Sequence, residues 1–188
     1  SGVVRVMVSR VIPVDPFDLV VFGATGDLAR RKILPSLFHR FQVGQMPPEA
    51  QIIGTARSDM TAEGFREMVG AAIRQYVPEV VSNDSGLADF LARLDYVAVD
   101  VMGSGGWDDL TAKLRPDVTR AFYLSVGPSL FGPIASGLQK AGLNTADSRI
   151  VVEKPFGRDL ESARELNQTL AAHFRERQIY RIDHYLGK

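Results

Sequence analysis

Cysteine is absent from the 188 residues, which excludes disulfides and thiolate zinc sites. Histidine is scarce, with only His39, His173 and His184. A three-histidine zinc site would need them all, and two sit in helix-like stretches, so no metal site is expected. Excess charge of one sign is also missing. Against 22 basic residues stand 22 acidic ones, and no net field draws the chain to nucleic acid or an anionic membrane. No apolar run reaches the ~18 residues of a membrane span. Residues 1–13 are apolar but broken by Arg5 and Arg10. They lack a small-residue cleavage site and do not read as a signal peptide. Without an initiator Met, Ser1 and Gly2 read as a cloning remnant, and residues 1–17 as an N-terminal extension. The 188 residues are 45% hydrophobic and 23% charged, the balance of one globular domain with a real core, and that domain is assigned to residues 18–188.

Short apolar runs alternate with helical periods. Residues 18–22 (DLVVF), 51–55 (QIIGT), 96–101, 121–126 (AFYLSV) and 149–153 (RIVVE) read as five strands. Phe65, Met68, Val69, Ala72, Ile73 and Tyr76 form the best amphipathic stripe, stopped by Pro78. Asp159 can cap a later helix, and Pro35 requires a kink or restart in an earlier one. The tail, residues 178–188, begins apolar and turns polar. Strands apolar on both faces and separated by helices predict an α/β fold. This is a Rossmann-like, doubly wound parallel sheet with helices on both faces, and it binds ligands at the carboxyl ends of the strands.

Four stretches carry candidate chemistry. After the first strand come Gly23, Ala24, Thr25, Gly26, Asp27 and Leu28, a G-x-x-G-x-x-A turn opening a helix. Its glycines would let backbone N–H groups approach a pyrophosphate, which the helix N-terminus also favours. The alternative is a tight turn with no ligand. Asp27 would cap the helix. The second strand ends GTARS, with no carboxylate before Arg57 to hold a ribose 2′-hydroxyl. A guanidinium plus a hydroxyl suits a 2′-phosphate and favours NADP over NAD, unless Arg57 is a solvated surface residue. Lys154, in EKPFG after the fifth strand, is placed to bind an oxyanion or else simply opens the next helix. Finally, RIDHYLGK packs Asp183, His184, Tyr185 and Lys188 into six residues. Histidine, lysine and a phenol can clamp a phosphate dianion, and Asp183 can orient a general base.

GATGDLARRK, GTARS, IVVEKPFGRDL and YRIDHYLGK, in this order across residues 18–188, resemble the signatures of the glucose-6-phosphate dehydrogenase family. The resemblance implies oxidation of glucose 6-phosphate to 6-phosphogluconolactone in the pentose phosphate pathway, with hydride passing from C1 to NADP. It also implies a cytoplasmic homo-oligomer. Gly23 to Leu28 would be the cofactor turn and Arg57 the 2′-phosphate residue. Asp100 and Val101, ending the third strand, would make a weaker cofactor contact. Lys154 would touch both substrate and nicotinamide. His184, Tyr185 and Lys188 would form the substrate phosphate clamp, and Asp183 would partner the catalytic histidine. Residues 125–128 (SVGP) depart from the family's usual two-proline turn. The family's C-terminal α+β domain, which supplies the general-base histidine, is absent after Lys188, so the 188 residues alone are expected to be catalytically silent. The competing readings are another Rossmann-type sugar dehydrogenase, against which DHYLGK argues, and a non-catalytic NADP-binding module.

Overall fold

The computed structural model describes residues 15–77, 86–154 and 160–183, with only the backbone described at Lys154, Leu160 and Asp183. The elements run β1 (Phe17–Phe22), α1 (Leu34–Gln42), β2 (Gln51–Ala56), α2 (Ala62–Tyr76), α3 (Leu87–Leu91), β3 (Leu94–Ala98), α4 (Trp107–Lys113), β4 (Thr119–Leu124), α5 (Phe131–Lys140), β5 (Arg149–Lys154), α6 (Leu160–Ala171) and β6 (Ile179–Asp183). The sheet order is β3-β2-β1-β4-β5-β6, and every neighbouring pair is parallel. This is the expected doubly wound α/β architecture.

Side-chain alternation in β1 divides the core into two layers. Phe17, Leu19 and Val21 pack with Leu34, Phe38, Phe65 and Phe90 of α1, α2 and α3. Val20 and Phe22 face the other way, onto Trp107, Phe131, Ile134 and Leu170 of α4, α5 and α6. Central strands therefore bury apolar residues on both faces, as the sequence runs predict.

The expected disturbance at Pro35 takes a definite form. The helix begins at residue 27 and widens into one π-type turn over Ala29–Ile33, where the Leu34 N–H reaches back to the Ala29 carbonyl. Pro35 has no N–H to donate and its ring crowds the preceding turn, and the wider turn accommodates both.

Several strand boundaries differ from the sequence reading. β1 starts one residue earlier, at the fully buried Phe17. β4 lies two residues nearer the N-terminus than expected, and β3 starts two residues and ends three residues early, which moves Asp100 and Val101 off the strand and into the loop after it. A sixth strand forms from the tail. Among the described residues β6 has a strand neighbour on one side only, so its alternation with polar Arg181 is tolerated, and the Arg181 guanidinium bonds to Asn167 and Glu176. The expected Asp159 cap falls outside the described residues.

Candidate functional site

The glycine turn leaves the carboxyl end of β1 against the carboxyl end of β4. Gly23 has φ +78°, and a Cβ there would lie 2.0 Å from the Ser125 carbonyl oxygen. Only glycine fits a left-handed residue so tightly apposed to backbone. The N–H groups of Gly23 and Ala24 both donate to the Thr55 carbonyl, at 2.9 and 3.1 Å, tying the turn to β2. The Gly26 N–H donates to the Gly23 carbonyl at 3.0 Å. Ala24 is buried, Thr25 half-buried and Gly26 exposed, while Leu28 packs against the core beneath. Asp27 does not cap the helix as expected. Its exposed carboxylate lies 3.5 Å from the Arg31 guanidinium and 4.0 Å from that of Arg30, both one turn along the helix. Two cations at i+3 and i+4 draw the carboxylate away from the N–H groups it would cap.

A cleft of about 300 Å³ opens beside this turn, where the strand order reverses between β1 and β4. Gly23, Arg57, Asp100 and Val101, far apart in sequence, all line it. Val126, Leu130 and Ile134 form the opposite, apolar wall. The Asp100 loop is shaped by its own backbone. The Asp100 N–H donates to the Gly105 carbonyl at 2.9 Å, and its carboxylate accepts the Met102 N–H at 3.2 Å. Gly106, at φ +92°, passes so close to the Ala98 carbonyl that a Cβ would sit 2.0 Å from it.

Thr55 also lines the cleft, and sequence reasoning gave it no role. It is fully buried, and its Oγ1 has no hydrogen-bond partner among the described residues. Such a hydroxyl carries an unmet desolvation cost that a polar ligand could relieve. With the Gly23 cradle beside it, the lining fits a dinucleotide. Tyr96, equally unremarked in sequence, is buried behind the loop that carries Arg57, and its hydroxyl reaches the Ser58 carbonyl at 2.6 Å. Burial raises its phenol pKa, and the Asp59 charge adds to the rise against the opposing effect of its bond to Ala56, so it remains a donor.

On the other side of the switch point, the expected substrate residues come together as backbone positions. Lys154 and Asp183 are register partners at the carboxyl ends of β5 and β6. Neighbouring strands run about 4.8 Å apart, so residues 29 positions apart in sequence share one edge of the sheet. Glu153 is held by the Tyr123 hydroxyl, which donates to its carboxylate at 2.8 Å. Burial, and then the Glu153 charge, push the Tyr123 phenol far up, keeping it protonated. His184, Tyr185 and Lys188 lie outside the described residues. Among the described residues, no group of three His, Cys, Asp or Glu side chains could hold a metal ion, and no helix is long and apolar enough to cross a membrane.

A six-stranded parallel sheet of this order, with a glycine turn opening on a cleft at the switch point, defines a dinucleotide-binding domain of the Rossmann class. The particular family follows from comparison with known proteins. Residues 20–188 match the model for the NAD binding domain of glucose-6-phosphate dehydrogenase. The glucose-6-phosphate 1-dehydrogenase of Rhizobium meliloti is 49% identical over 97% of this chain and 38% of its own length. That of Mycolicibacterium smegmatis is 46% identical over 94% of this chain and 37% of its own. Among solved structures, the enzyme from Mycobacterium avium matches with TM-score 0.82 at 38% identity, covering 92% of this chain and 37% of that one. A glucose-6-phosphate dehydrogenase in complex with its substrate glucose-6-phosphate matches with TM-score 0.79 at 37% identity, over the same shares. The chain belongs to the glucose-6-phosphate dehydrogenase family and spans a little over a third of the length of these relatives.

Proposed function

We propose that this chain is the cofactor-binding part of an NADP-dependent glucose-6-phosphate dehydrogenase, with residues 18–188 as its dinucleotide-binding unit. In this reading the turn from Gly23 through Ala24, Thr25, Gly26 and Asp27 to Leu28 receives the pyrophosphate. Arg57 grips the 2′-phosphate, and Asp100 and Val101 flank the adenosine side. Bound there, NADP would accept the hydride leaving C1 of the sugar. Lys154 sits where it can neutralise oxygen on the substrate beside the nicotinamide. Asp183 orients the base that takes the hydroxyl proton, and His184, Tyr185 and Lys188 clamp the substrate phosphate. The cytoplasm and a homo-oligomeric state complete the reading on the strength of the family resemblance. The observation that carries it is the arrangement along one sheet edge. The dinucleotide cleft opens at the β1/β4 switch point, and Lys154 and Asp183 are paired at the ends of β5 and β6.

The cofactor assignment has a direct test. Arg57→Ala is expected to weaken NADP binding by about 1.5–3 kcal/mol, the worth of a hydrogen bond to a charged group. NAD, lacking the 2′-phosphate, should bind almost unchanged. Calorimetric titration of both cofactors into both proteins decides, and equal losses would remove Arg57 from the role.

The activity is tested by following NADPH absorbance with glucose 6-phosphate in the full-length protein. Lys154→Ala should lower the turnover number as well as raise the Michaelis constant for the sugar phosphate. A cation beside the reacting carbon stabilises the reacting arrangement beyond holding the ground state. Unchanged turnover with weaker sugar binding would reduce Lys154 to an anchor. No NADPH formation by the wild-type protein would leave a non-catalytic NADP-binding module.

A further inference from the structure

Arg57 lines the cleft, yet its side chain is exposed and makes no hydrogen bond or ion pair among the described residues. What aims it is its backbone. The Ala56 carbonyl, at the end of β2, takes the last bond of the β2–β3 ladder from the Val99 N–H at 3.0 Å, and Ser58 follows in a bend, so the ladder stops just as the guanidinium must be placed. The carbonyls on both sides of Arg57 converge on one group. The Tyr96 hydroxyl lies 2.6 Å from the Ser58 oxygen and 3.2 Å from the Ala56 oxygen, across 38 and 40 residues of sequence.

The phenol is itself fixed. Tyr96 pairs with Gly54 in the β2–β3 register, and its ring packs on that of Phe65 with centroids 5.3 Å apart. Phe65 reaches this position because residue 54 has no side chain, since a Cβ there would lie 2.3 Å from the Phe65 ring. Tyr96 is only 5% exposed, so water does not compete freely for the two carbonyls.

We infer that Tyr96 is a positioning residue for cofactor selection, its hydroxyl clamping the backbone on both sides of Arg57 so that the guanidinium meets a 2′-phosphorylated adenosine. This rests on the reading of Arg57 as the 2′-phosphate residue. A dinucleotide without that phosphate gains nothing from the clamp. A residue serving stability alone would affect both cofactors equally.

The experiment is a double-mutant cycle in the full-length protein, with NADP and NAD affinities measured by calorimetry for wild type, Tyr96→Phe, Arg57→Ala and the double variant. Phenylalanine keeps the ring and its packing on Phe65. Tyr96→Phe should weaken NADP by about three- to tenfold, the range of a single lost hydrogen bond, and NAD by less than about twofold. In the Arg57→Ala background it should cost NADP nothing further. Phe65→Leu, which removes the support of the phenol ring, should shift the NADP-to-NAD ratio in the same direction, and serves as the readout if Tyr96→Phe does not fold. Equal losses for both cofactors, or the same NADP loss with and without Arg57, would overturn the inference. A ratio moved by Arg57→Ala but by neither Tyr96→Phe nor Phe65→Leu overturns it alone. A ratio unmoved by Arg57→Ala overturns the Arg57 reading and this inference with it.

Discussion

Gly23→Ala is expected to abolish detectable dinucleotide binding and to lower the stability of the fold, whereas Gly26→Ala should cost mainly binding. At Gly23 the backbone is left-handed, φ +78°, which penalises any side chain by about 1–2 kcal/mol before contacts are counted. The added methyl would also lie 2.0 Å from the Ser125 carbonyl oxygen and 2.9 Å from Val126 Cγ1. Neither atom is the free end of a long side chain. The carboxyl ends of β1 and β4 would have to part, and with them the switch point that holds the cleft. At Gly26, φ is not in the left-handed range, and the nearest atom to a Cβ is the Gly23 oxygen at 3.2 Å, which needs to yield by only a few tenths of an ångström. Gly26 is exposed, so its methyl would instead stand where a pyrophosphate approaches the turn. Thermal unfolding and calorimetric titration of the two variants separate these effects. A Gly23→Ala protein with the wild-type midpoint and affinity would show that the turn relaxes at little cost, contrary to its geometry.

The second large effect is far from the cleft. Asp18 is fully buried at the amino end of β1, and among the described residues Arg115 alone supplies its side-chain bonds. The Arg115 backbone N–H donates to one carboxylate oxygen at 2.7 Å, while Nε and Nη2 donate to the other at 3.0 and 2.7 Å. The same guanidinium donates to the carbonyls of Phe17, at 3.1 Å, and Glu49, at 2.6 Å, so it closes the loops beneath the sheet. Arg115→Ala would leave the carboxylate in the core with only the backbone bond. Removing one partner of a buried pair costs about 3–5 kcal/mol, and because the Arg115 side chain is a third exposed the loss should fall near the lower end, about 3 kcal/mol. In urea unfolding, Asp18→Ala combined with Arg115→Ala should cost clearly less than the two single losses added together. A single-variant loss under about 1 kcal/mol would mean that water already serves the carboxylate.

Several features needed only the order of residues. Unbroken apolar runs between helical stripes announce a parallel sheet, because a strand covered on both faces has no polar side. The core confirms this at Leu19, Val20 and Val21, which alternate between two layers and are all buried. The glycine turn, the break before Pro35 and the family signatures are likewise local, since backbone conformation and missing donors act within a few residues. The boundaries of β3 and the tail strand were less legible. Val99 and Val101 extend the apolar pattern past β3, but Gly106 and the Asp100 loop turn the chain away after Ala98. At the tail, Arg181 and Asp183 hide a strand that lies at the edge of the described sheet, where polar alternation is permitted because one side has no partner among the described residues.

Tertiary structure decided everything that depends on distant partners. Periodicity tells which side of a strand is buried but not which strand lies beside it. Hence the sequence gives no sign that Lys154 faces Asp183 across β5 and β6, or that the Ser125 carbonyl closes on Gly23. Asp27 and its two arginines could have been paired from their spacing of three and four, a local signal that the capping expectation overrode. The Thr55 hydroxyl, buried without a partner among the described residues, and the Tyr96 clamp on residues 56 and 58 carry no local signal at all. In sequence they are a threonine and a tyrosine in two ordinary strands. Their character comes from the pairing of β2 with β1 and β3, which converts residues tens of positions apart into neighbours and gives a buried polar atom a partner or leaves it without one.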